Sequence, residues 1–557
     1  MTTPLRLSEV QFQYRRAASP SLQNVSLSLE AGRLTGISGR TGAGKTTCVR
    51  TFNGLIPHVI PGDFRGRVEL FGRPLERSNR HEAIRRVGMV FQDFEAQLFS
   101  TTVRGEVAFV LETAGLTPAA IQTRVAESLA RVGLAALAER EPGTLSGGQK
   151  QRLAIACLLA ARPDILLLDE PTTDLDPIGK SEVAAILREL ADAGHTVALV
   201  EHETDLLARA RQIHLLADGR LSDTRPLDGF RDEPERLLDF GIRPPDLWRL
   251  WRRIGLTDPP DDVEEAARRL RENGFVATQP ASDEPAPSRR EPLFILDRVG
   301  FAYPDGNAVL ADFSLTIQRG ESLAVLGPNG AGKTTLIGLL NGLRRPTQGR
   351  VLFRGADIAR QSVGRLGADI GFVFQNPDHQ LFSPTVFEEV AFALKVRGAP
   401  AAAWPAKVER VLALVGLTGV EDRDPFTMTK GERQKLALAS VLVHEPEVLI
   451  LDEPTTGLDA AEQEVMADLL RSLQARGHTV LIITHSMDTA LAVADRALVL
   501  VDGRALADGP TREVFANENR LAAAQLRPPM AARLSARLGC GALSLAALAA
   551  RLRRRPT

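Results

Sequence analysis

A phosphate-loop pattern occurs twice in this chain, and the motifs downstream of it recur in register. GRTGAGKT at 39–46 and GPNGAGKT at 327–334 both fit G-x-x-x-x-G-K-[ST]. Lys45 pairs with Lys333, 288 positions on, whereas Gln92/Gln375, Asp169/Asp452 and His202/His485 are each separated by 283. One net deletion of five residues between the loop and Gln375 accounts for the drift. The chain is a duplication of a unit of roughly 220 residues, not a short solenoid repeat. Any fold it adopts must carry two nucleotide pockets.

Each unit alternates apolar runs with helical stretches. The runs 165–168 (ILLL) and 448–451 (VLIL) are continuously apolar, as expected of parallel strands buried on both faces. Helices around a mostly parallel core sheet follow, an α/β architecture. The apolar runs 34–37 and 323–326 directly precede the phosphate loops, and helical stretches follow them. That context suits a strand, a loop and a helix N-terminus aimed at phosphate.

The chemistry can be assigned residue by residue. Gly39, Gly42 and Gly44, with Gly327, Gly330 and Gly332, let backbone N–H groups wrap phosphates. Lys45 and Lys333 supply a cation, Thr46 and Thr334 a hydroxyl for Mg²⁺, and Thr47 and Thr335 complete the loops. Asp169-Glu170 and Asp452-Glu453 end the buried strands. An acidic pair there is costly without a cation, so each Asp is expected to hold the Mg²⁺ shell and each Glu to polarise the attacking water. His202 and His485 follow further apolar runs and are placed to sense a γ-phosphate. The only two tyrosines, Tyr14 and Tyr303, lie about 30 residues before a loop, where an aromatic ring can stack on adenine.

One motif is off-pattern. The first half reads LSGGQ at 145–149 and the second MTKGE at 428–432. Ser146 is placed to cap its helix. In the second copy Thr429 still caps and Gly431 remains. Lys430 introduces a side chain whose charge also attracts phosphate, and Glu432 a carboxylate expected to disfavour an anion.

These motifs resemble those of the ATP-binding cassette (ABC) ATPases, with two cassettes fused in tandem. LSGGQ, through Gln149, resembles the family signature, in which Ser146 would bond the γ-phosphate, with Gly147 and Gly148 allowing close backbone approach. Gln92 and Gln375 resemble its Q-loop glutamines, and Leu175-Asp176 and Leu458-Asp459 its D-loops. The resemblance covers roughly residues 5–225 and 290–515. It implies two P-loop NTPase domains, each with a mostly parallel core sheet, an antiparallel β subdomain and a helical subdomain. It implies ATP and Mg²⁺ as ligands, with Thr46, Gln92, Asp169, Thr334, Gln375 and Asp452 around the metal. It also implies head-to-tail pairing, in which the second phosphate loop faces the first signature. The site of Lys333, Glu453, His485 and Ser146 is then expected to dominate hydrolysis.

A narrower resemblance follows each Q-loop. QLFS at 97–100 recurs at 380–383, and EVAF at 106–109 recurs at 389–392. This wording is similar to the ATPases of energy-coupling factor (ECF) importers of vitamins, vitamin precursors and metal ions. It implies integral membrane partners, a T-type coupling protein and an S-type substrate-binding protein, and a peripheral place on the cytoplasmic face of the membrane. Gln97, Leu98, Phe99, Gln380, Leu381 and Phe382 are the expected partner-coupling residues, since large apolar residues in a surface loop mark a partner site. The alternatives are a soluble tandem cassette acting on ribosomes or nucleic acid, and the ATPase of another ABC importer class.

Composition sets bounds on these readings. A net charge of −1 gives no global basic field for nucleic acid. Cys48, Cys157 and Cys540 have neither metal nor disulfide spacing, as expected in a reducing cytosol. No apolar run reaches the length of about 18 residues that spans a bilayer, and the N-terminus lacks a signal-peptide layout. The expected organisation is a first cassette at 1–225, a helical extension at 226–276, a flexible linker at 277–290, a second cassette at 291–515 and a helical tail at 516–557. The extension and tail share an Arg-Pro-Pro start followed by an amphipathic basic helix.

Overall fold

The computed structural model describes residues 3–15, 17, 19–173, 175, 177–278, 290–304 and 306–555. Most of the expected linker, 279–289, and Asp176 of the first D-loop lie outside the described residues. The chain divides into two compact units between Pro245 and Asp246.

In the first unit a six-stranded sheet runs in the order Arg220–Arg225, Gln212–Ala217, Leu34–Gly39, Thr196–Val200, Ile165–Asp169, Val87–Val90. All of its pairings are parallel except that of the first two strands. Every residue of Ile165–Asp169 and of Thr196–Val200 is buried, as the apolar runs ILLL and VALV within them require. A four-stranded antiparallel sheet, Leu22–Leu29, Leu5–Tyr14, Gly62–Leu70 and Arg73–Pro74, packs over the phosphate-loop helix Lys45–Phe52. Helices Val103–Thr113, Pro118–Arg131 and Gly147–Ala161 form the helical subdomain. The second unit repeats this plan, with core order Ile370–Val373, Val448–Asp452, Thr479–Ile483, Ser322–Leu326, Arg496–Val501, Arg504–Pro510. Parallel strand order places Asp169 and Asp452 at the same sheet edge as the adjoining phosphate loops.

The extension and tail differ from their sequence reading. The extension is not one helical piece. The turns Leu227–Phe230 and Pro234–Phe240 belong to the first unit, with Phe230 and Leu237 buried. From Asp246 onward the chain belongs to the second unit. There Asp246–Arg253 and Val263–Glu272 share one apolar core with the tail helices Met530–Leu538 and Leu545–Arg551, around Trp251, Leu270, Leu534 and Leu548. The basic end of the tail is a strand, Leu552–Arg554, paired antiparallel with Phe275–Ala277. Ala277 is therefore the last residue of a strand and not the start of a linker. The two Arg-Pro-Pro repeats close on each other because each amphipathic helix needs an apolar partner.

This clasp yields a prediction. Cutting the chain at a protease site introduced within 279–289 is expected to leave fragments that co-elute on size exclusion, because residues 246–277 stay packed on the tail. Trp251→Asp with Leu534→Asp is expected to separate them, since two charges in that apolar core cost several kcal/mol.

Candidate nucleotide-hydrolysis sites

Each phosphate loop is shaped by glycines at positive φ. Gly39 and Gly327 have φ of 154° and 149°, and a Cβ on either would collide with a carbonyl of the neighbouring strand, that of Leu216 or Leu500. The loop lysines curl over their own loops. Lys45 Nζ donates to the Gly39 and Arg40 carbonyls at 2.8 and 3.1 Å, and Lys333 Nζ to those of Gly327 and Pro328 at 2.7 and 2.9 Å. Lys45 also stands 3.7 Å from Glu170. Both tyrosines lie against the loops: the Tyr14 hydroxyl is 3.2 Å from Thr47 Oγ1 and that of Tyr303 is 3.3 Å from Thr335 Oγ1.

The strand-end carboxylates carry the electrostatics. Asp169 is 1% exposed, and neither of its oxygens makes a well-formed hydrogen bond, the Thr46 hydroxyl being the side-chain donor that acts on it. Burial and the adjacent Glu170 push its carboxyl up to about 6, against the pull of the Thr46 hydroxyl, Lys45 and Arg50. Burial and Glu453 raise Asp452 to about 6 as well, opposed by Lys333. Glu170 and Glu453 both adopt left-handed backbone, with φ of 49° and 48°. That conformation is uncommon for glutamate and gathers at functional sites.

The switch histidines meet these glutamates, but not identically. His202 reaches Glu170 Oε1 through Nε2 at 3.1 Å, whereas His485 reaches Glu453 Oε1 through Nδ1 at 2.8 Å. Gln92 Nε2 donates to Glu170 Oε2 at 2.8 Å, and both Gln92 and Gln375 are exposed. In the sequence, Glu201-His202 counts toward the narrower resemblance, but Glu201 is given no site role there; it is 2% exposed and accepts the backbone N–H of His202 at 2.8 Å. An acidic residue closing a fully apolar strand was the signal available.

Both signatures form complete capping boxes. In the first, Ser146 N–H donates to Gln149 Oε1 at 3.0 Å and Gln149 N–H to Ser146 Oγ at 3.3 Å. In the second, Thr429 N–H donates to Glu432 Oε2 at 2.7 Å and Glu432 N–H to Thr429 Oγ1 at 3.2 Å. The expectation that the Glu432 carboxylate simply disfavours an anion needs correction. One of its oxygens caps the helix and the other pairs with Arg423 at 3.1 Å, so its charge is met locally. The larger difference lies at the glycines. A Cβ on Gly148 would meet only Gly179 Cα at 3.3 Å, whereas one on Gly431 would collide with the Glu462 carboxylate. Lys430 folds along Gly457 of its own unit instead of projecting from the helix start.

The loops after Gln92 and Gln375 narrow the expected coupling set. Gln97 faces inward, accepting from Phe91 N–H at 3.0 Å, and Gln380 donates to the Ala437 carbonyl at 2.8 Å. Leu381 is buried and Leu98 half-buried. Only Phe99 and Phe382, 64% and 58% exposed, present large apolar surface. Each stacks edge-to-face at 4.8 Å on a phenylalanine that sequence reasoning had not placed in the set, Phe109 or Phe392, both 43% exposed. Buried Glu106 and Glu389 hold the loops by accepting two N–H groups each: Phe99 and Ser100 at 2.9 and 2.7 Å, and Phe382 and Ser383 at the same distances. That scaffold accounts for the duplicated wording. Among the described residues no helix is long and apolar enough to cross a membrane.

Comparison with known proteins agrees with this geometry. Residues 22–173 and 310–456 each match the ABC transporter family. A "Putative ABC transporter ATP-binding protein" of Methanosarcina acetivorans is 40% identical over 96% of this chain and 90% of its own length. The "Putative HMP/thiamine import ATP-binding protein YkoD" of Bacillus subtilis is 32% identical over 93% of each chain. A solved structure of cbiO1 from Clostridium perfringens, described as part of the ABC transporter complex cbiONQ, is 35% identical, covers 44% of this chain and 98% of its own, and has a TM-score of 0.40. With two matched cassettes and identity along nearly its whole length, this chain belongs to the ABC transporter ATP-binding proteins, ATPases that bind ATP and couple its hydrolysis to transport through membrane components.

Proposed function

We propose that the chain energises an ECF-type importer of a micronutrient: a vitamin, a vitamin precursor or a metal ion. The observation that carries this reading is the duplicated Phe99–Phe109 and Phe382–Phe392 pair, held by buried Glu106 and Glu389 just after each Q-loop. Two like apolar patches suit a membrane partner that presents two similar elements. The name of the Bacillus subtilis relative, "Putative HMP/thiamine import ATP-binding protein YkoD", points the same way. The partners proposed are a T-type coupling protein and an S-type substrate-binding protein, which place the chain peripherally on the cytoplasmic face.

Glu170 and Glu453 are the proposed general bases, with His202 and His485 beside the γ-phosphate. The residues present fit Mg²⁺. Asp169 is a buried carboxylate next to a loop threonine, neither of its oxygens in a well-formed hydrogen bond, and a divalent cation relieves that burial. Thr46, Asp169 and Gln92 would hold the ion in one site, and Thr334, Asp452 and Gln375 in the other. When bound, it neutralises charge on the phosphates. Tyr14 and Tyr303 are proposed to stack on adenine. Head-to-tail pairing would complete the second phosphate loop with Ser146, Gly147, Gly148 and Gln149, and the first with Thr429 and Gly431.

Affinity purification of the full chain from its native cells tests the reading. Recovery with an integral coupling subunit and a small integral substrate-binding subunit is the expected result. Recovery with ribosomes or nucleic acid, and no membrane subunits, overturns it.

A further inference from the structure

The two units share a backbone but differ in one side chain at the position before each switch histidine. Glu170 N–H donates to the Val200 carbonyl at 3.0 Å and Glu453 N–H to that of Ile483 at 2.8 Å. Glu201 N–H and Thr484 N–H each donate to the strand before the phosphate loop, at 3.2 Å. The main chain therefore acts as an internal control for the side-chain exchange.

In the second unit the switch loop clamps the catalytic carboxylate. The buried Thr484 hydroxyl donates to Glu453 Oε2 at 3.1 Å and accepts from Ser486 N–H at 3.0 Å. The His485 N–H donates to Glu453 Oε1 at 3.0 Å. In the first unit Glu201 takes the place of Thr484. Both oxygens of Glu201 are engaged away from Glu170. Glu201 Oε2 accepts the N–H groups of His202 and Glu203 at 2.8 and 3.3 Å, and its Oε1 accepts the Thr172 hydroxyl. The histidine amide that holds Glu453 in one unit thus goes to Glu201 in the other. Glu170 is met by Gln92 Nε2 at 2.8 Å, His202 Nε2 at 3.1 Å and the Thr173 hydroxyl at 3.4 Å, the last matched by the Thr456 hydroxyl on Glu453 at 3.3 Å.

We propose that Thr484 and Glu201 are positioning residues that set how firmly each general base is aimed. Thr484 fixes Glu453 to the switch loop, and Glu201 draws the His202 amide away from Glu170. The inference rests on the reading of the two glutamates as general bases. A carboxylate held by the switch-loop N–H and a buried hydroxyl keeps its aim better than one from which that N–H is drawn away, and loss of aim lowers the chemical step without weakening binding.

The test uses the full chain in its assembled transporter, with Glu453→Gln and Glu170→Gln as controls. Thr484→Val removes the hydroxyl but keeps the shape. It is expected to lower kcat about tenfold with KM for ATP within about twofold, and Thr484→Ser is expected to restore kcat. Glu201→Thr, which installs the second unit's donor, is expected to raise or maintain kcat with KM unchanged. Glu201→Gln keeps an acceptor for both amides and is expected to match the parent. If neither control lowers turnover, the reading of the bases has failed. If Glu453→Gln lowers turnover but Thr484→Val does not, or serine fails to restore it, or KM moves in step with kcat, the positioning proposal is overturned. If instead Glu170→Gln is the damaging control, Glu201→Thr must raise kcat, and an unchanged kcat overturns the proposal.

Discussion

Glu453→Gln is expected to lower steady-state ATP turnover of the assembled transporter by about 10²–10⁴-fold, the range for losing a general base, while Glu170→Gln leaves most of it. The asymmetry starts at the signatures. The first offers Gly148, where a Cβ would meet only Gly179 Cα among the described residues. The second offers Gly431 beneath the carboxylate of Glu462, with Lys430 laid along Gly457. A carboxylate packed on the glycine adds negative charge near the helix start that should admit a phosphate, an electrostatic obstacle even with the helix cap intact. Under head-to-tail pairing the obstacle falls on the site built around Lys45, Glu170 and His202. A tenfold difference between sites needs only ~1.4 kcal/mol of transition-state stabilisation. Glutamine keeps the shape of each base and removes its proton affinity, so ATP binding at both sites should survive. Turnover that collapses with Glu170→Gln and persists with Glu453→Gln would reverse the assignment.

Much of each site was legible because its motifs are local. A phosphate loop needs glycines at fixed offsets to reach φ values such as those of Gly39 and Gly327, and no tertiary contact changes that need. Strand ends such as Asp169 and Asp452 are marked by the apolar runs before them, and the parallel order of those strands brings them to the loops. The illegible parts depend on approaches between distant segments. Arg423 reaches Glu432, Glu462 covers Gly431, and Glu201 meets Thr172, yet no sequence spacing announces any of the three. Gln97 and Leu381 were read as surface residues because their neighbours recur, but the recurrence serves the loop's own scaffold. The clasp was half legible: the amphipathic repeats were visible, but not that they partner each other.

Phe99→Ser combined with Phe382→Ser is expected to release the chain from its membrane partners while leaving nucleotide binding intact. Burying a phenylalanine side chain is worth ~1.5–3 kcal/mol, and each of these rings is more than half exposed in the free chain. With about six-tenths of each ring left to bury, two such rings lost together correspond to roughly 20- to 400-fold in affinity. Aromatic anchors of this kind carry a disproportionate share of interface energy. The rings are also pre-ordered. Phe109 and Phe392 brace them edge-to-face, and Glu106 and Glu389 pin the loop backbone, so little entropy is lost on docking. The loops directly follow Gln92 and Gln375, so a partner seated on them would feel any movement of the glutamine that contacts Glu170. Extending the change to Phe109→Ser and Phe392→Ser should deepen the loss, whereas Val465→Ser, at an exposed apolar position on the helix Ala460–Ala475, should not affect assembly. Co-purification from membranes and equilibrium ATP binding read the two effects separately. Retained membrane subunits with the double serine variant would move the coupling surface elsewhere on the cassettes. Loss of both partners and ATP binding would mean that the rings serve folding and not docking.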